Sequence, residues 1–257
     1  MKFTVITLFP QMIEAFVQNG LIGQAHERGQ IRVESVNPRQ FTTDAHHTVD
    51  DRVYGGGDGM VMKVEPLAAA VQASGEGKVI VMSPQGRPFS QARAQQLADA
   101  GEPLILVCGR YAGIDHRFIQ AHQAEEISIG DYILNGGEIA ACAVIEAVAR
   151  LRPEVLGNQV SAQRDSFSRG LLECPQFTRP REVAGLKVPA ELLSGHHENV
   201  RKFEHAVSVA RTAHLRPDLL PPNTDLKKEL KLLAAVAEEE LLSLGLSRKI
   251  LSALESK

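Results

Sequence analysis

The chain has 257 residues, of which 44% are apolar and 23% charged, and its formal net charge is −3. That length and apolar content exclude wholesale disorder and leave room for one or two domains, each with its own core. The mild acidity argues against a protein that coats nucleic acid indiscriminately, because neutralising phosphate leaves a basic footprint.

The N-terminal MKFTVITLFP has no long apolar stretch ending in a small-residue cleavage site. No run reaches the roughly 18 apolar residues of a membrane span. Three cysteines, Cys108, Cys142 and Cys174, stand far apart without a CxxC pair. They offer neither a disulfide framework nor a zinc cluster, so no metal site is expected, and the pattern suits a reducing cytosol. These features predict a soluble, cytoplasmic protein.

In chain order, short β-branched or leucine-rich runs predict strands at Phe3–Leu8, Ile31–Val36, Lys78–Met82, Leu104–Cys108 and Glu126–Ile129. Between them, helical periodicity falls on Gln11–Asn19, Glu65–Ala73, Ser90–Ala100, Ile114–His122 and Glu138–Arg150, several closed by Gly20, Gly75 or Gly101. Alternation of this kind predicts a largely parallel sheet covered on both faces. The last of these helices, EIAACAVIEAVAR, is apolar or small almost all round. Burial inside the sheet domain and contact with a second subunit explain that equally well.

Around NQVSAQRDSFSRG, residues 158–170, periodicity fades and a flexible linker is expected. It separates a domain at 1–157 from a smaller helical domain at 171–257, with helices near His196–Ala213 and Asp225–Leu244 framed by prolines. From Arg150 to Lys187 seven Lys or Arg stand against four Asp or Glu. A solvated patch and a phosphate-attracting surface are both compatible with that surplus.

Several motifs resolve negatively. The run Gly55-Gly56-Gly57-Asp58-Gly59 fails the dinucleotide pattern because Met60 occupies the last glycine position, and no GxxxxGK[ST] loop exists. It reads better as a polar loop that needs glycine torsions. The adjacent pairs His46-His47 and His196-His197 lack the three- or four-residue spacing of metal ligands on a helix. Cys108 stands at a strand end, but no base is near it in sequence, so a packing role is expected.

Three neighbouring strand ends repeat one event. Val79–Met82 runs into Ser83-Pro84-Gln85-Gly86, Leu104–Cys108 into Gly109-Arg110-Tyr111-Ala112-Gly113, and Ile127–Ile129 into Gly130-Asp131-Tyr132-Ile133-Leu134-Asn135-Gly136-Gly137. Ligands of open α/β sheets lie beyond the carboxyl ends of strands. Three glycine-rich loops there would make a pocket with main-chain walls, suited to a planar heteroaromatic, with Tyr111, Tyr132, Ile133 and Leu134 as apolar surface. The loops carry no lysine for a triphosphate, and Asp131 would tolerate a cationic sulfonium. Three purely structural turns are the plainer alternative.

The segments LFP at 8–10, DDRVYGGGDGM at 50–60, SPQG at 83–86, CGRYAGID at 108–115, SIGDYILNGGE at 128–138 and DSF with GLLECPQFTRP at 165–180 closely resemble the bacterial tRNA (guanine-N1)-methyltransferase family, TrmD. The resemblance implies an α/β fold of SPOUT type, a parallel sheet with a trefoil knot at about 80–157, plus the helical C-terminal domain as a tRNA-binding unit. It further implies a homodimer with active sites at the interface and S-adenosyl-L-methionine as methyl donor. Carried over by position, the donor loops comprise Ser83, Pro84, Gly109, Tyr111, Gly113, Ile129, Gly130, Asp131, Tyr132, Ile133, Leu134, Gly136 and Gly137.

Guanine N1 is protonated at neutral pH, so methylating it needs a base for that proton and a donor for the charge growing on O6. By resemblance these are Asp165 and Arg150, and the target is the guanine 3′ of the tRNA anticodon. The chain departs from the family pattern at Val53, Asp58, Ala112 and Ala140. Ala112 stands where the family has glutamate, which opens the question of donor affinity and of any Mg2+ requirement. A SPOUT enzyme with a shifted RNA target and a silent tRNA-binding protein are the rival readings.

Overall fold

The computed structural model describes residues 1–57, 59–157 and 165–256. The first half of the predicted linker, residues 158–164, lies outside the described residues, as does Asp58. The chain divides into two compact units, Met1–Gln159 and Val160–Lys257.

The first unit is built on five parallel strands: β1 (Lys2–Ile6), β2 (Arg32–Val36), β5 (Lys78–Pro88), β6 (Leu104–Cys108) and β7 (Glu125–Ser128), in the order β2-β1-β6-β5-β7. Every residue of β6 is buried, as an uninterrupted apolar run in a parallel sheet requires. Its side chains divide by alternation. Leu104, Leu106 and Cys108 join one core with Phe3, Val5 and Ile80, while Ile105 and Val107 join another with Ile6 and Val81. Helices α1 (Pro10–Val17), α2 (Gly20–Glu27), α4 (Gln91–Ala100) and α6 (Glu138–Ala149) cover the first face, and α3 (Val64–Ser74) and α5 (His116–Ala121) the second.

Most predicted elements of the first unit are present with shifted ends, and three places in it differ. Gly20, expected to end a helix, instead opens α2 after the extended Asn19. The α1–α2 corner is tight enough that a Cβ on Gly23 would stand 2.9 Å from the carbonyl carbon of Gln18. Residues 83–86, expected as loop, interrupt β5 without ending it. Register with β7 shifts between Met82 and Arg87, and pairing resumes at Arg87 and Pro88 because the main chain of Gly86 lies directly against Glu126 and Ile127. The triple glycine joins a hairpin of β3 (Asp50–Arg52) and β4 (Met60–Met62), and Gly55, Gly56 and Gly59 all take positive φ.

Helix α6 is buried within its own unit: Ala140, Ala141, Val144, Ile145, Val148 and Ala149 all enter the first core. Ile139, 57% exposed, is left outside it.

The second unit packs around the helix His197–Leu215, whose Phe203, Ala206, Val207, Ala210 and Ala213 share one face and one core with Leu230, Leu233, Leu241 and Leu251. The helix expected over Asp225–Leu244 is two helices, Leu226–Leu233 and Glu238–Ser243. Arg248 explains the break, since its guanidinium donates to the carbonyls of Ala234 and Val236 and so satisfies main chain a continuous helix would have used. A two-residue hairpin, Glu182–Val183 with Leu186–Lys187, also forms where no strand was expected.

Candidate active site

Met82, Cys108 and Ile127 stand in register across the adjoining strands β6, β5 and β7. The three glycine-rich segments therefore leave the sheet side by side, and between them lies a cavity of about 530 Å3. Ser83 and Pro84 line one wall, Gly109, Tyr111 and Gly113 a second, and Ile129, Gly130, Tyr132, Ile133, Leu134, Gly136 and Gly137 the third. Asp131 is exposed and is not among the lining residues. Tyr132 N donates to Gly130 O at 2.9 Å, and this tight turn leaves Asp131 on its outer side.

The walls are laced together through main chain. Arg110 bridges Gly136 in antiparallel fashion, and Gly137 N donates to Gly109 O at 3.1 Å. On the other side of the loop, Ala112 N donates to Met60 O at 2.8 Å and Met62 N to Gly113 O at 3.0 Å, so β4 backs it. Tyr111 holds φ +59 and is 56% exposed at this loop. Ala112 and Ala140, two of the departures from the family pattern, both line the cavity.

A charged group that sequence reasoning passed over sits behind this wall. Arg110 Nη2 lies 2.7 Å from Glu138 Oε2, and Nε donates to Oε1 at 3.2 Å. Thr7, at the end of β1, donates to the same Oε1 at 2.7 Å. The guanidinium also covers the Phe9 ring at 4.2 Å and donates to Asn135 O at 3.3 Å. Each partner lies in a segment singled out for other reasons, but nothing in their spacing connects Thr7, Arg110 and Glu138 before the chain folds.

The remaining candidates separate clearly. Burial raises the Cys108 thiol well above its ordinary range, and pushes Cys142 up to about 11 and Cys174 up to about 12, so all three stay protonated and unreactive at neutral pH. The four paired histidines are exposed, and no cluster of metal-binding side chains occurs among the described residues. No described helix is long and apolar enough to cross a membrane.

Arg150 is half-buried and follows the last turn of α6, its N–H donating to Glu146 O at 3.1 Å. Asp165 belongs to the second unit, where it lines a separate cavity of about 460 Å3 with Arg169, Glu173, Arg201, Glu204 and His205.

Residues 1–222 match the family described as tRNA (Guanine-1)-methyltransferase TrmD. The chain belongs to that family. A tRNA (guanine-N(1)-)-methyltransferase of Shewanella amazonensis is similar to it at 51% identity over 240 residues, 91% of this chain and 96% of the relative. The protein of the same name from Haemophilus influenzae is 53% identical over 221 residues, 84% of this chain and 89% of its own. One from Marinomonas is 51% identical over 237 residues, 91% and 94% of the two chains. The TrmD resemblance carried by the motifs is thus upheld over most of the sequence.

Proposed function

We propose that this TrmD family member methylates N1 of the guanine 3′ of the tRNA anticodon, with S-adenosyl-L-methionine as donor. The observation that carries the reading is the cavity between the interruption in β5 and the ends of β6 and β7, walled by main chain, in a chain of this family. Its loops offer N–H and C=O groups for an adenine edge and tyrosines for apolar cover. The residues fit a donor with no phosphate, because no lysine lines the cavity among the described residues and its one arginine is already paired with Glu138.

Ser83, Pro84, Gly109, Tyr111, Gly113 and the segment from Ile129 to Gly137 would hold the donor. When bound, S-adenosylmethionine supplies an electrophilic methyl group on a sulfonium. The protein's own part is to make guanine N1 nucleophilic. Asp165 would accept the N1 proton, and Arg150 would donate to O6 as negative charge grows there. Arg150 stands at the end of α6 and Asp165 near the start of the second unit; the two roles are given to them by the family resemblance.

The same reading takes the first unit as a SPOUT domain with a trefoil knot. Supporting it, the 130–137 segment is bridged to the 109–113 loop rather than lying apart from it. It also takes the molecule as a cytoplasmic homodimer, supported by the apolar side chains left exposed at Phe9, Met12, Ile133 and Ile139. The second unit would bind tRNA. Ala112 stands where the family has glutamate, while Glu126 lines the cavity; methyl transfer with and without Mg2+ decides whether the ion is needed.

The test is transfer of labelled methyl to an unmodified tRNA carrying guanine 3′ of its anticodon, beside an adenine-substituted tRNA. Label confined to the guanine form and mapped to N1 is expected. The Asp165→Ala enzyme should bind donor nearly as well as wild type yet lose turnover, and equal loss of both would defeat the role given to Asp165.

A further inference from the structure

The Arg110–Glu138 pair has a charge consequence for whatever enters the cavity. Arg110 is the one permanently cationic side chain among the described residues lining it, and Glu126 of β7 is the one carboxylate. Alone, such a group beside a binding site disfavours a cationic ligand, and the low dielectric of a closed pocket enlarges the effect. Here it is compensated. Glu138 is only 1% exposed, meets the guanidinium through two of its nitrogens, and is itself held by Thr7. One hydrogen bond, from Nε to Oε1, and the close Nη2–Oε2 ion pair balance the charge, and the guanidinium lies over Phe9.

Gly136 lines the cavity beside Arg110, and a Cβ there would strike both Arg110 and Glu138, which is not itself among the lining residues. The carboxylate therefore lies directly beside a wall residue. A buried carboxylate is expensive and is kept only when paired, so its presence behind this wall needs a reason.

We propose that Glu138 is a positioning and specificity residue: by neutralising Arg110 it removes the charge penalty that would otherwise disfavour a cationic sulfonium donor relative to the uncharged thioether product. It acts through Arg110 and touches neither ligand. The proposal rests on the donor reading above, with S-adenosylmethionine as the cation and S-adenosylhomocysteine as the neutral counterpart. At an effective dielectric of about 20, an uncompensated unit charge roughly 10 Å away changes a cation's affinity on the order of tenfold and leaves a neutral analogue little affected.

Calorimetric titration of the full-length protein with each ligand, at one fixed pH, tests this. In Glu138→Gln the ratio of dissociation constants, sulfonium over thioether, is expected to rise on the order of tenfold. Glu138→Gln combined with Arg110→Gln removes both charges and should bring the ratio back to the wild-type value, even where both ligands bind more weakly. Equal weakening of both ligands in Glu138→Gln, or a ratio that stays raised in the double variant, overturns the proposal and leaves the pair a structural anchor. If Glu138→Gln does not fold, Arg110→Gln alone decides: the ratio must fall, or hold where the unpaired carboxylate takes up a proton, and a rise overturns the proposal. Wild-type protein that binds neither ligand would defeat the donor reading itself.

Discussion

At the level of single residues, glycines do two different jobs in the first unit. Gly55 and Gly56 take positive φ with nothing within 4 Å of a would-be Cβ, so torsion alone explains them. Gly137 takes an ordinary helical φ of −82, and a Cβ there would stand 2.8 Å from Cys108 Cα and 2.9 Å from Met82 Cβ. The restriction is space: the start of α6 runs directly over Met82 within β5 and Cys108 at the end of β6. Gly137→Ala is expected to destabilise the fold by roughly 2 kcal/mol, the usual cost of overpacking. It should also weaken donor binding, because Gly137 N holds Gly109 O. Urea unfolding with an unchanged m value and a lower midpoint would confirm the first expectation.

Among the elements, β7 depends on charge. It pairs with β5 at one edge of the sheet, and its first residue, Glu125, is held by Arg93 from α4 and by Lys78, 3.2 Å away, from β5. Burial alone would raise the Glu125 pKa, but the hydrogen bonds and charges of Arg93 and Lys78 outweigh it, and the pKa lies below the ordinary 4.5. The unfolded chain therefore binds this proton more readily. The stabilisation is present above pH 4.5 and disappears as pH falls through the depressed folded value. Glu125→Gln should cost about 1 kcal/mol at neutral pH, since the three side chains are only partly shielded. The variant's stability should also fall less steeply than the wild type's below that pH, which unfolding midpoints across an acid series would measure.

On the scale of the molecule, each unit carries its own core, and every residue lining the larger cavity belongs to the first. Residues 165–257 expressed alone should retain a single cooperative unfolding transition, followed by helical circular dichroism, because their core needs no residue of the first unit. A broad, non-cooperative loss of signal would contradict that.

Much of this was legible from the chain alone. Uninterrupted apolar runs such as Leu104–Cys108 mark buried parallel strands, and Ser90 and Gly101 bracket α4 as a cap and a left-handed stop. Glycine loops after three strands predicted a main-chain pocket, and a local pattern suffices for that because strand, loop and ligand wall are contiguous in sequence. The break at Ala234–Ala237 was not legible, since Arg248, distant along the chain, supplies its hydrogen bonds. Nor was the charge balance of the cavity. By itself the sequence determined the α/β alternation, the family and the three loops, all set by short-range periodicity and contiguous motifs. Only the tertiary structure decided that Thr7, Arg110 and Glu138 form one buried charge-compensated group, because parallel strand ends gather residues that are more than a hundred positions apart.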